Sequence, residues 1–332
     1  MITTVQQTEI IEALLKHLNE RYVFPDVARA IEGVIRDRMV NGEYDDTESL
    51  PQLCRTLTEQ LQAVSRDEHL RVLHRESPIP MREGQGPSPE WVERYRQKML
   101  LENGGFRTAE RLAGNVGYLE FHNFARPDYA GESAVAAMNF LANTSALIVD
   151  LRQNTGGHPG MVALITSYLF DQPVHLNSIY SREHDQFDQF WTLPYVPGRR
   201  FGGDKPVYVL TSSKTFSAAE EFVYNLKSRE RATIIGEVTR GGAHPGGLVR
   251  LHDHVEVFIP SARSVNPVTG TNWEGAGVQP DVAAPADKAQ AVAYVAALRK
   301  VITGAGEAPE GPLKELVVEA KQALSEAETS LG

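Results

Sequence analysis

A single cysteine in 332 residues excludes an intrachain disulfide. Cys54 lies at an apolar helical position beside Leu53, Leu57 and Leu61, which reads as core packing. No apolar run approaches the ~18 residues of a membrane span. The start, Met1 to Gln7, has neither a basic n-region nor an apolar h-region, so cytoplasmic residence is expected, with export the alternative if a leader has been removed. Lys and Arg (33) are outnumbered by Asp and Glu (43), giving a net charge of −10, and no basic cluster is dense enough for a nucleic-acid footprint. Metal and cofactor signatures are missing too. There is no HExxH or CxxC pair to hold zinc, and no GxxxxGK[ST] or GxGxxG phosphate loop, so neither a metal nor a cofactor is expected. Repeats are absent.

What is present concentrates at two strand ends. Pro206 to Leu210 is short, apolar and β-branched, and reads as a buried strand. Ala218 to Leu226 carries helix formers, acids in its first turn and apolar residues at helical spacing. Ser217 therefore stands at a helix N-terminus, where free N–H groups and the helix dipole stabilise an oxyanion forming beside its hydroxyl. A plain N-cap is the competing reading of the same serine. The second strand, Ala146 to Leu151, runs into Gln153 to Gly160, where Gly156 and Gly157 allow positive φ and close backbone approach to a substrate carbonyl. Gly241 to Gly247 is glycine-rich but lacks the strand–loop–helix context of a nucleotide loop, and reads as a close-approach loop at an active site.

DLRQNTGG (150–157), TFSAAEE (215–221), GEVTRGGAHP (236–245) and EGAGVQPDV (274–282) together resemble the four signature blocks of the S41 family of serine peptidases, in family order. That family includes the carboxy-terminal processing (tail-specific) proteases and the tricorn core. ENGGFRTAERLAGNVGYLEF (102–121) more closely resembles the branch with the repeats of interphotoreceptor retinoid-binding protein. The resemblance covers about residues 102 to 286, and the first hundred residues match only loosely. It implies a ClpP/crotonase-like α/β core and hydrolysis by a serine nucleophile, Ser217. The tail-specific branch takes its base from a lysine in the block after the serine, but Gly242 stands there, and Lys214 points more naturally to solvent. The tricorn-like branch uses an earlier histidine and a later glutamate, roles that fall on His69, within Ser65 to Val72, and on Glu274. That branch has a serine immediately before its histidine, where this chain has Glu68.

A serine hydroxyl needs a base, and a neutral histidine oriented through its second nitrogen suits that task near neutral pH. Of ten histidines, His69 is preferred because it follows a helix in a polar segment leading to the extended Leu70 to Leu73. His244, on the Gly-rich loop, is the alternative base. His158, His74 and His122 have no comparable context, and a solvated loop acid is the competing reading of Glu274. Backbone N–H groups of Ala218 and of Gly156 or Gly157 are the expected oxyanion donors.

Helical periodicity marks three N-terminal helices, around Ile10 to Leu18, Val27 to Met39 and Leu50 to Val64, forming an all-helical domain over residues 1–76. The Pro/Gly-rich Ser77 to Pro89 and a helix to Leu101 form a connection over 77–105. Strands and helices then alternate over 106–303, which argues an α/β layer with largely parallel strands. Leu248 to Ile259 reads as a hairpin or one long strand, and 304–332 as a helical extension after a flexible link. No inserted segment reads as a PDZ domain. The expected activity is a serine peptidase acting on unfolded or flexible polypeptide through an acyl-enzyme. The alternative is a non-catalytic binder of an apolar small molecule, retinoid- or fatty-acid-like, on the same fold.

Overall fold

The computed structural model describes residues 2–80 and 89–331, so most of the expected Pro/Gly-rich connection lies outside the described residues. In chain order the elements begin with helices α1 (Thr4–Arg21), α2 (Pro25–Val40) and α3 (Leu50–Ser65), strand β1 (Arg71–His74) and helix α4 (Pro89–Leu101). There follow β2 (Phe106–Leu112), β3 (Val116–Phe121), α5 (Pro127–Leu141), β4 (Ala146–Asp150), α6 (Pro159–Ser167), β5 (His175–Ser181) and β6 (Gln186–Trp191). The rest is β7 (Val207–Thr211), α7 (Ala218–Ser228), β8 (Thr233–Gly236), β9 (Gly246–His252), β10 (Val255–Pro260), β11 (Ala262–Val265), β12 (Val282–Ala283), α8 (Ala289–Gly304) and α9 (Gly311–Leu331). No helix of the described residues is long and apolar enough to cross a membrane.

The chain divides into two compact units. One comprises Met1–Ser88, Ser178–Asp188 and Gly242–Val265; the other comprises Pro89–Asn177, Gln189–Gly241 and Asn266–Gly332. In the first unit Thr3 and Gln6 close a capping box on α1, and Ser49 caps α3, so both helices start where side chains satisfy their free N–H groups. Their apolar stripes meet in one core with Ile10, Leu14, Leu18, Ile31, Ile35, Leu57 and Leu61 fully buried. The helices do not close this core alone. An antiparallel sheet of order β1-β10-β9 contributes Val255, Val257 and Ile259, alternate residues that all face the helices. The long Leu248 to Ile259 segment is thus a hairpin, and a later stretch of chain completes the N-terminal helical part. Burial in this core pushes the Cys54 thiol up to about 11, which keeps it unreactive.

The second unit is built on a six-stranded sheet of order β12-β8-β7-β4-β3-β2, parallel except for β2 at one edge. Every residue of β4 and β7 is buried, which explains why both read as continuous apolar runs rather than alternating ones. One face, with Tyr118, Ile148, Tyr208, Leu210 and Ile235, packs on Ala289, Ala293, Ala297 and Leu298 of α8. The C-terminal helix α9 belongs to the same core through Ala320 and Ala323. Its packing is tight at Gly114, where a Cβ would lie 2.4 Å from the Leu298 side chain and 3.1 Å from Ala320. Strands β5 and β6 have no counterpart in the sequence reading, because β6 is exposed at nearly every position and offers no apolar alternation.

Ile148 stands at the centre of β4 and is fully buried. Ile148→Ala is expected to lower unfolding free energy by about 2–5 kcal/mol, measured by denaturant titration of the folded chain.

Candidate active site

The parallel strands β4, β7 and β8 all deliver their C-terminal ends to the same edge of the sheet, where α/β folds place their sites. After β7 the chain turns through 212–217 before α7 begins. Side chains pin this turn to the loop after β4. The Thr215 hydroxyl donates to Leu151 O (2.8 Å), the Ser212 hydroxyl to Arg152 O (2.6 Å), and Phe216 N–H to Asn154 O (3.2 Å). Ser217 itself has φ 57° and ψ −122°. Thr3 and Ser49, which cap α1 and α3, sit at φ −90° and −145° with ψ near 154° and 153°. An N-cap normally occupies that extended region, so capping does not explain the Ser217 backbone. A non-glycine residue held at positive φ marks a site where the surroundings over-determine the backbone.

The glycine turn approaches from the other side. Asn154 is fully buried; its Nδ2 donates to Phe121 O (2.9 Å) and its Oδ1 accepts the Gly156 N–H (2.9 Å). Gly156 has φ 98°, and a Cβ there would lie 2.8 Å from Ser217 Cβ and 2.9 Å from Ala218 N. Gly157 has φ 146°, and its Cβ would lie 2.2 Å from Phe124 O. Only glycine fits at either position. Because Asn154 engages the Gly156 N–H, the donor of the pair left for a ligand is Gly157, which makes no hydrogen bond among the described residues. Ala218 opens α7, and its N–H is one of the donors a helix leaves without an intrahelical acceptor.

Ser217, Ala218, Gly156, Gly157 and Glu274 lie in the second unit, whereas His69 and His244 lie in the first. There the two histidines share one carboxylate. Asp67 is buried; its Oδ1 accepts the His69 backbone N–H (3.0 Å), and its Oδ2 meets His244 Nδ1 (2.8 Å) and accepts from the Tyr22 hydroxyl (3.1 Å). His69 is half-buried and stacks on Phe258 at 5.9 Å, while His244 is buried with its ring edge-on to Phe24 at 5.1 Å. Half-buried Glu274 follows an Asx turn, its N–H donating to Asn272 Oδ1 (3.0 Å). Lys214 is exposed and among the described residues its ammonium reaches only Gln153 (3.3 Å), as a solvated lysine should. His158 accepts the Gly160 N–H through Nδ1 and caps α6, and burial pushes its pKa down.

Sequence reasoning passed over Asp67, Asn154 and Glu220. Asp67 stands two residues before His69. Asn154 lies inside the quoted glycine block. Glu220 was visible only as a first-turn acid. Glu220 is fully buried and its Oε2 accepts the Ser217 N–H at 2.9 Å. Its neighbour Glu221 is also buried, and desolvation pushes its carboxyl up to about 7 despite the opposing influence of Asn177 and Asn225.

A family model described as Peptidase family S41 matches residues 115–284. Another, described as the N-terminal domain of Peptidase_S41 in eukaryotic IRBP, matches residues 2–100, a stretch in which the motifs alone gave only a loose resemblance. A carboxy-terminal-processing protease of Bartonella bacilliformis is 24% identical over 181 residues, which are 52% of this chain and 39% of that relative's length. Among solved structures, the photosystem II D1 C-terminal processing protease superposes with a TM-score of 0.52 at 18% identity, over 86% of this chain and 94% of that one. The tricorn protease gives 0.54 at 14% identity, over 99% of this chain and 37% of that one. At such identities the likeness is one of fold, and it agrees with the expected ClpP/crotonase-like α/β core.

Glu221 generates a pH prediction. Its folded pKa lies above the ordinary glutamate value of 4.5, so the unfolded chain ionises first as pH rises. Stability therefore falls between pH 4.5 and about 7 and levels off above that. Glu221→Gln removes this titration. Its stability relative to the parent should rise by on the order of 3 kcal/mol between pH 4.5 and 8, at 1.36 kcal/mol per unit, in denaturant melts at both pH values. A difference that stays constant would mean that Glu221 is ionised in the fold.

Proposed function

The chain belongs to peptidase family S41, and from that premise we propose that it hydrolyses peptide bonds of unfolded or flexible polypeptides through an acyl-enzyme on Ser217. The Ser217 hydroxyl oxygen attacks the scissile carbonyl carbon while a histidine takes its proton. The carbonyl oxygen, now an oxyanion, receives the N–H groups of Ala218 and Gly157. The same histidine returns its proton to the leaving amine, and water then hydrolyses the ester by the reverse sequence. Glu274 helps orient the site. The single observation behind this reading is the Ser217 backbone, held at positive φ against Gly156 at the head of α7.

His69 is proposed as the base, in keeping with the block that carries it. One observation favours a second assignment. The bond from His244 Nδ1 to buried Asp67 orients the ring through one nitrogen, as an acceptor orients a catalytic histidine. In the first assignment Asp67 acts on the base through the His69 backbone N–H; in the second it acts on the ring of the base directly.

A fluorophosphonate probe should label Ser217, and Ser217→Ala should abolish both labelling and peptide hydrolysis while leaving unfolding free energy within about 1 kcal/mol. A well-folded parent protein that is never labelled would favour a non-catalytic binding protein. With His69 as base, His69→Ala should lower kcat by about 1,000-fold or more, whereas His244→Ala should act mainly on KM. Steady-state kinetics giving the opposite pattern would transfer the role to His244.

A further inference from the structure

The serine turn and the loop after β8 are joined through one buried side chain. Glu220 is the third residue of α7, where a glutamate closing a capping box needs one oxygen for the N-cap N–H. Its Oε2 does this for Ser217 at 2.9 Å. Its Oε1 is turned to another loop, where it accepts the Thr239 hydroxyl at 2.5 Å and the Gly241 N–H at 2.6 Å. The Thr239 hydroxyl in turn accepts the Val278 N–H at 2.7 Å, and Gly241 O accepts the Gly275 N–H at 3.0 Å. Close contacts leave this loop pair no slack. A Cβ on Gly277 would lie 2.1 Å from Thr239 O, and one on Gly241 would lie 3.0 Å from Gly277 N. The carboxylate thus fastens the Ser217 amide to a rigid loop pair that also carries Glu274.

We infer that Glu220 is a positioning residue for hydrolysis: by fixing the Ser217 amide against the 239–241 loop it sets the direction of the Ser217 hydroxyl and of the Ala218 N–H. The inference rests on Ser217 being the nucleophile, as proposed above. Its physical basis is donor counting. A carboxylate offers only acceptors and can serve three donors spread over its two oxygens, with the strength of charge-assisted bonds. A glutamine has one acceptor oxygen and an NH2 that would face a donor, so at least one of Ser217 N–H, Thr239 Oγ1 or Gly241 N–H loses its partner. The peptide freed in this way can rotate out of the positive-φ geometry, and the hydroxyl and the oxyanion donor move with it.

The test is the rate of fluorophosphonate labelling, measured where circular dichroism shows each variant fully folded, together with kcat and KM on a peptide substrate. Glu220→Gln should slow labelling and lower kcat by about 10- to 100-fold with KM changed by less than about twofold, as expected when reacting groups are misplaced by up to an ångström. Thr239→Val keeps the side-chain shape, removes one of the three donors and does not touch Ser217; it should slow labelling by about 3- to 10-fold. A purely structural role would lower the melting temperature and leave the labelling rate of folded protein intact. Parent-like labelling by folded Glu220→Gln overturns the inference, and if that variant does not fold, parent-like labelling by Thr239→Val does so. A parent protein that is not labelled removes Ser217 as the nucleophile and this inference with it.

Discussion

The close approach of Gly156 to Ser217 is the contact around which the second unit is arranged. It requires a glycine at φ 98° on one side and a serine at φ 57° on the other, two backbone conformations that an isolated chain would not adopt together. What holds them is the layering beneath. Buried, parallel β4 and β7 bring the ends of two strands side by side, and hydroxyls of Ser212 and Thr215 then bond the carbonyls of the neighbouring loop. The sheet sets the spacing and the short polar side chains lock it. The result is a helix N-terminus with a serine at its head and free amides nearby.

Buried acids do much of the remaining organisation, and each is handled differently. Asp150 is paired with Arg152 and accepts from the Tyr118 hydroxyl at 2.7 Å. Asp67 gathers two histidine segments and Tyr22. Glu220 accepts three donors from its own helix start and the loop after β8. Glu221, one residue on, has too little hydrogen bonding to offset desolvation and holds its proton to about pH 7. Adjacent residues of the same type on one helix turn therefore take opposite solutions to burial, because they face different surroundings.

A chain with a net charge of −10 would ordinarily keep its acids in water. Of the acids it buries, Asp67 lies beside the histidines, Asp150 at the end of β4 before the glycine turn, Glu220 and Glu221 beside the Ser217 turn, and Glu256 on β10, where it pairs with Arg75. Their position in the sequence was plain, yet their role was not. Glu220 and Glu221 looked alike as first-turn acids, and Asp67 looked like one more polar residue before His69. Hydrogen-bond partners decide such roles, and Asp67 has partners 45 and 177 residues away.

The sequence by itself determined the local elements and the two strand ends at which Ser217 and the glycine turn stand. Continuous apolar runs marked β4 and β7, period 3.6 marked α1 to α3, and the four blocks with Ser217, Gly156 and Gly157 marked the strand ends where α/β folds act. These are short-range signals, carried by neighbouring residues. Tertiary structure alone decided that β9 and β10 complete the core of the N-terminal helices, that the Gly156 amide belongs to Asn154, and that Asp67 serves His69 and His244 together. It also separated Glu220 from Glu221. Each of these depends on residues far apart in the chain meeting at hydrogen-bond or van der Waals distance, and no local period or spacing encodes such a meeting.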